Sequence, residues 1–186
     1  TETAQEVASV SLQCHGGMGY VEETGIAQIL RDARILPIYE GTNGIQAMDL
    51  VGRKIITDSG LGANELIADM REFAMNPMLA DMVSDSQLKR FTSAIEDFEK
   101  TVSIILNHAD NKELIGKLAF DTLMMAGTII ASWQMLLSLE KASNAFNNKS
   151  LSSEFFNEKS ATVSHFMDFI LPRYFSNFAT ITAITS

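Results

Sequence analysis

Leu88, Phe91, Ile95, Phe98, Val102 and Ile105 advance by three and four residues, the step of one buried face of an α-helix in a bundle. Only three prolines, Pro37, Pro77 and Pro172, interrupt 186 residues, and the turn-forming residues gather in a few places between long stretches with helical spacing. The expected fold is therefore all-α, a helical bundle. The 18 residues from Thr122 to Leu139 carry no charge, which raises the question of a membrane span. Thr122, Thr128, Ser132, Gln134 and Ser138 break that run, and no basic flank outweighs Asp121. A central helix touched by several neighbours produces the same pattern, so no membrane span is expected.

Local signals divide the chain. Thr3 and Glu6 have the spacing of a capping box, with Ala4, Val7, Ala8 and Leu12 on one face of a first helix ending near Cys14. A second helix is expected from Glu22–Thr24, burying Ile26, Ile29, Leu30 and Ala33, carrying Arg31 and Arg34 near its C-terminus and stopping at Pro37. A third runs from Thr42, its N-cap, to Ile56, with Arg53 and Lys54 complementing the dipole. Gly60 and Gly62 mark a joint, which sets the expected domains at residues 1–58 and 59–186. Beyond it, helices are expected over 63–75, along the Leu88 to Ile105 seam, over 112–146 with an interruption at Gly127, and from Ser152 to a kink or restart at Pro172. Asp85 with Lys89 and Glu96 with Lys100 are expected to pair on outer helix faces.

Charge excludes one function class. With 23 acidic and 14 basic side chains the net charge is −9, which offers no broad cationic surface to a phosphate backbone, so no nucleic-acid partner is expected. The lone Cys14 cannot form an internal disulfide, and His15, His108 and His165 lack the spacing of a zinc site. A reducing cytoplasm is the expected compartment. The first residues lack a basic stretch followed by an apolar run, and a chain starting at Thr1 is expected to be a piece of a longer one.

Two segments carry chemistry. Gly16, Gly17 and Gly19 invite comparison with a dinucleotide-binding loop, but that fingerprint needs glycine where Glu22 stands and a strand before it. A helix C-cap followed by a tight turn accounts for the same glycines. In Ile38–Gln46, the carboxylate of Glu40 lies between an apolar dipeptide and a helix start rich in small residues. It reads either as a positioned functional carboxylate or as an N-terminal dipole partner.

Three stretches, Gln13-Cys-His-Gly-Gly-Met-Gly-Tyr20, Leu30-Arg-Asp-Ala-Arg34 and Ile38-Tyr-Glu-Gly-Thr42, together resemble in order and spacing the C-terminal part of acyl-CoA dehydrogenases. With Asn43-Gly-Ile-Gln-Ala-Met-Asp-Leu-Val-Gly-Arg-Lys54, the likeness extends to the subgroup that includes 3-methylmercaptopropionyl-CoA dehydrogenase, in which an extra helical domain follows. The motifs cover residues 1 to about 56. The remainder is similar to the family in position, helical character and the Leu171-Pro-Arg173 stretch.

The resemblance implies FAD-dependent desaturation of an acyl-CoA thioester: a base removes the α proton and the β hydrogen leaves as hydride to the flavin. Glu40 matches the family's base, and Gly41 matches the point where substrate approaches the backbone. Thr42 and Asn43 match FAD contacts. Gly44 stands where many members carry a larger polar residue, which limits any FAD contact there to the backbone. Gln13, Cys14, His15, Gly16 and Gly17 match the segment that reaches the FAD of a neighbouring subunit, so a homo-oligomer is implied. The electron acceptor implied for a dehydrogenase is electron-transfer flavoprotein. An acyl-CoA oxidase that reduces oxygen, and a non-catalytic helical interaction module, are the competing readings. The domains that carry most of the flavin and substrate site in the family are absent from this sequence, so the chain alone is expected to be inactive.

Overall fold

A computed structural model describes residues 1–186. All regular structure in it is helical. Two compact units are present, Thr1–Ala47 and Met48–Ser186.

In the first unit, α1 (Glu2–Cys14) is followed by a short helix α2 (Gly17–Tyr20), a 3-10 turn (Glu22–Thr24) and α3 (Ile26–Ala33). The Thr3–Glu6 capping box does not form. Thr1 occupies the N-cap without a side-chain cap bond, which leaves Thr3 inside the helix. The break after Cys14 is compact because Gly19 folds back under the end of α1, where a Cβ would collide with the Leu12 carbonyl oxygen. α3 packs against α1. It buries Ala27 and half-buries Ile26, Leu30 and Ala33, but Ile29 is exposed, contrary to expectation. Ile29 lies about a quarter-turn from the centre of that stripe at 100° per residue, and a short helix with one partner has nothing on that side to cover it. Arg31 reaches back to both carboxylate oxygens of Glu22, at 2.8 and 2.9 Å.

The third helix begins where expected. Thr42 Oγ1 accepts the Ile45 N–H at 3.3 Å, and α4 runs over Asn43–Asp49. From Leu50 to Ile56 the chain winds as a π-helix, with Arg53 and Lys54 in its last turn and Val51 and Ile55 in the core of the second unit. Ser59 and Gly60, both with positive φ, then turn the chain into α5 (Leu61–Ala74).

The second unit surrounds two long helices. The short α6 (Met78–Met82), preceded by Pro77, was not anticipated; it inserts Leu79, fully buried. Next comes α7 (Asp85–Asn107), opened by a genuine capping box of Ser84 and Gln87. Phe91, Ile95, Phe98, Val102 and Ile105 are buried along it as expected, whereas Leu88 is half-buried on the flank facing a groove also lined by Ala74 and Thr92. Lys100 pairs with Asp97 rather than Glu96, because the three-residue step brings Nζ to 2.9 Å from Oδ1. Arg71 on α5 grips Glu99 with two hydrogen bonds.

Helix α8 (Lys112–Asn147), capped by Asn111, passes through Gly127 without interruption. Glycine inside a helix costs only about 1 kcal/mol relative to alanine, and packing along both flanks exceeds that. α8 is long and apolar enough to cross a membrane by length and composition alone. Thr122, Met125, Ala126, Ile129, Ser132, Leu136 and Leu139 are nevertheless buried within the unit, the pattern of a central bundle helix. Ser152 caps α9 (Ser153–His165), which continues as a π-segment (Phe166–Ile170) and a 3-10 turn (Leu171–Arg173) into α10 (Tyr174–Thr185). Pro172 therefore restarts the helix as expected. Gln87 and Arg90 on α7 hold this junction through Ser164, Asp168 and the Met167 carbonyl.

α10 lies against α7 and α8. Its Tyr174 is 5% exposed and donates to Asp97 Oδ2 at 3.3 Å. Burial, reinforced by the Asp97 charge, pushes the phenol up to about 12. A raised folded-state value favours the neutral phenol, so this contribution to stability is fully present below the unfolded value near 10 and is lost as pH climbs toward 12. Urea denaturation across that window should therefore lose stability more steeply in the native sequence than in Tyr174→Phe. Parallel pH dependences would contradict the role of this phenol.

Candidate active site

After α3 the backbone descends through successive tight turns. The N–H groups of Ile38 and Tyr39 both bond to the Ile35 carbonyl, at 3.0 and 3.1 Å, and Pro37 is buried beneath them. Asn43 N–H bonds to the Pro37 carbonyl at 3.3 Å, closing a loop around Glu40. Two consecutive residues then take left-handed backbone angles, Glu40 with φ 56° and Gly41 with φ 90°. For a residue with a Cβ that conformation costs about 1 to 2 kcal/mol. At the second position only glycine meets both demands, since a Cβ there would also press on Gln46 Nε2 at 3.1 Å.

The strained turn has a single side-chain clamp. Gln46 Nε2 donates to the Glu40 carbonyl at 2.9 Å from within α4. The Glu40 carboxylate is exposed and takes part in no hydrogen bond or ion pair. It is not the capping partner of α4; Thr42 fills that place. Ile38, Tyr39 and Ile45 stand half-exposed or more around it.

The expected site residues fall into two groups. Glu40, Gly41, Thr42, Asn43 and Gly44 share the turn and the start of α4, near the beginning of α1: Thr1 Oγ1 donates to Asn43 Oδ1 at 2.8 Å, and Asn43 Nδ2 donates to Glu2 Oε1 at 2.6 Å. Gln13, Cys14, His15, Gly16 and Gly17 lie at the other end of α1, about 18 Å along the axis at 1.5 Å per residue. The fold thus separates the groups. At the far end His15 Nδ1 lies 2.9 Å from the Ser11 carbonyl, Gly16 takes φ 58°, and Cβ positions at Gly16 and Gly17 point into open space. Nearby, the Arg31 guanidinium bonds to Glu22 and holds its carboxyl below the usual carboxylate range, so the two charges are spent on each other.

Comparison with known proteins gives two matches to family models. Residues 1–56 match "Acyl-CoA dehydrogenase, C-terminal domain" and residues 66–186 match "Acetyl-CoA dehydrogenase C-terminal like". The chain belongs to the acyl-CoA dehydrogenase family. Among curated proteins, the 3-methylmercaptopropionyl-CoA dehydrogenase of Ruegeria pomeroyi is 40% identical over 178 residues, which is 92% of this chain and 29% of that protein. The mouse mitochondrial long-chain specific acyl-CoA dehydrogenase is 46% identical over 59 residues, 32% of this chain and 14% of that protein. Subunit CarC of the caffeyl-CoA reductase-Etf complex of Acetobacterium woodii is 38% identical over 52 residues, 28% and 14% respectively. The chain thus spans less than a third of the length of these acyl-CoA dehydrogenase relatives.

Gln46 and the bridge from Thr1 and Glu2 to Asn43 were not anticipated. A contact from residue i to i+6 across a helix start has no periodic signature, and the bridge joins residues more than forty positions apart. The motif Ile38–Gln46 contains Gln46, but nothing in the motif marks which atom it grips.

Proposed function

We infer that this chain is the C-terminal part of a flavin-dependent acyl-CoA dehydrogenase, with residues 1–58 completing the catalytic helical domain and residues 59–186 forming an appended helical bundle. The observation that carries the reading is Glu40: a partner-free carboxylate on a clamped left-handed turn, inside the family's Tyr39-Glu40-Gly41-Thr42 sequence. A carboxylate that only capped the helix would be bonded to its N–H groups, and this one is not.

Glu40 is assigned as the base that takes the α proton of an acyl-CoA, a proton acidified by the thioester carbonyl. Gly41 is assigned, from its match to the family, as the point where substrate approaches the backbone, on the side away from Gln46 and Ile45. Bound FAD would supply the acceptor for the β hydride. The residues present fit such a group in part. Open backbone at Gly16 and Gly17 gives a bulky ring system room to approach, and the Thr42 hydroxyl, which accepts from Ile45, keeps its own proton free to donate. The Asn43 amide already accepts from Thr1 and donates to Glu2, which leaves one N–H and one lone pair for a cofactor, while Gly44 would contribute backbone only. The 18 Å between the two groups supports the assignment of Gln13, Cys14, His15, Gly16 and Gly17 to the FAD of a neighbouring subunit, and hence a homo-oligomer.

Exposed Val7, Val10, Met18, Tyr20 and Ile29 on the first unit favour coverage by further protein. We assign electron-transfer flavoprotein as the acceptor, a choice favoured by the likeness to a caffeyl-CoA reductase-Etf complex subunit, and, from the lone cysteine, the cytoplasm as the compartment. The test is the visible spectrum of the full-length protein, followed by titration with a panel of acyl-CoAs. A flavin spectrum bleached by acyl-CoA and restored by electron-transfer flavoprotein is expected. Reoxidation by oxygen alone would favour an oxidase, and a full-length protein without flavin would favour an interaction module. The 186-residue chain by itself should be colourless and inactive; a stable yellow preparation would contradict the reading.

A further inference from the structure

The geometry points to Gln46 as a positioning residue for the reaction, acting by clamping the backbone of Glu40 in its left-handed conformation. This rests on the reading of Glu40 as the base. Glu40 has φ 56°, a conformation a glutamate abandons unless something holds it. Its side chain is unpartnered, so no contact of the carboxylate itself fixes where it points. The hold comes through the main chain. The Glu40 carbonyl accepts from Gln46 Nε2 at 2.9 Å, and because a carbonyl oxygen can only accept, the Gln46 amide must present its NH2 group there.

Gln46 is well placed to act as an anchor. Its own N–H bonds to the Thr42 carbonyl at 2.9 Å, in the first turn of α4, and the neighbouring Ala47 is fully buried. Glu40 is thereby tied to a helix rather than to a loop. Gly41 completes the arrangement, since a Cβ at that position would crowd the Gln46 amide at 3.1 Å and push on the clamp. If the clamp is released, the left-handed turn competes with the more favourable right-handed and extended conformations, and the carboxylate leaves its working position for part of the time.

The experiment uses the full-length flavin-loaded protein. Gln46→Met keeps the length and removes the donor, and should slow flavin reduction by acyl-CoA about tenfold, the rate equivalent of one ordinary hydrogen bond. Acyl-CoA affinity should change by less than about twofold, since the clamp does not touch substrate. Gln46→Lys, which restores an N–H donor at similar reach, should recover most of the loss. In the background of Glu40→Gln, adding Gln46→Met should cause no further loss, and amide hydrogen exchange over residues 38–46 should quicken when Met replaces Gln46. An undiminished rate in Gln46→Met, with Glu40→Gln inactive, would overturn the clamp and leave the base standing. An active Glu40→Gln would overturn the base instead. Equal slowing in both backgrounds would make Gln46 merely structural. Should Gln46→Met not accumulate as folded protein, Gln46→Asn, which keeps the amide and shortens its reach, carries the same comparison.

Discussion

Glu40→Gln in the full-length protein is expected to slow flavin reduction by acyl-CoA about 100- to 10,000-fold, with flavin and acyl-CoA still bound. The amide is close in shape to the carboxylate but cannot accept the α proton. Because the Glu40 side chain has no partner in this chain, the substitution breaks no existing hydrogen bond or ion pair. Its left-handed backbone and the Gln46 clamp involve only main-chain atoms of Glu40, so the turn itself should persist. Rapid mixing with acyl-CoA, alongside a separate measurement of substrate affinity, checks the expectation. A loss of only about twofold would exclude general-base catalysis by this residue.

Phe98→Ala should lower the stability of the second unit by about 3 to 5 kcal/mol, measured by urea or thermal unfolding. Phe98 is 3% exposed on the buried face of α7, a helix packed among α5, α8 and α10, so truncation leaves a cavity in a packed core that cannot easily collapse. Leu88→Ala on the same helix should cost distinctly less, because Leu88 is half-buried beside an open groove. Equal costs at the two positions would mean that burial in this row does not control its contribution.

The α7 seam was legible because six apolar residues repeat the helical step over five turns, and a pattern that long has no other regular solution. Shorter signals were less secure. Thr3-x-x-Glu6 has the right letters for a cap but Thr3 is already the second residue of a helix begun at Glu2, whereas Ser84-x-x-Gln87 has the same spacing and does form the box. Ile29 fits a helical stripe, yet only a second neighbour could have buried it. The π-segments at Leu50–Ile56 and Phe166–Ile170 left no trace in the periodicity, because a single widened turn shifts the step too little to read. At the candidate site, the sequence motif located Glu40, and the caps located the start of α4. The left-handed turn and its clamp depend on backbone angles and on one contact across six residues, which residue types do not encode by spacing.

The cover of α8 has a consequence for how the protein is made. Its buried stripe, from Ile115 to Ala142, is packed in large part by α9 and α10, which leave the ribosome only after α8 is complete. For that interval the nascent chain presents a 36-residue helix whose central stretch is apolar enough to pass for a membrane segment. A chain stalled before Tyr174 is thus a substrate for chaperones or for aggregation, and α10 works as the latch that ends the exposure. Deleting Tyr174–Thr185 should divert the chain to chaperones or inclusion bodies, even though those residues lie in the sequence far from every candidate catalytic group.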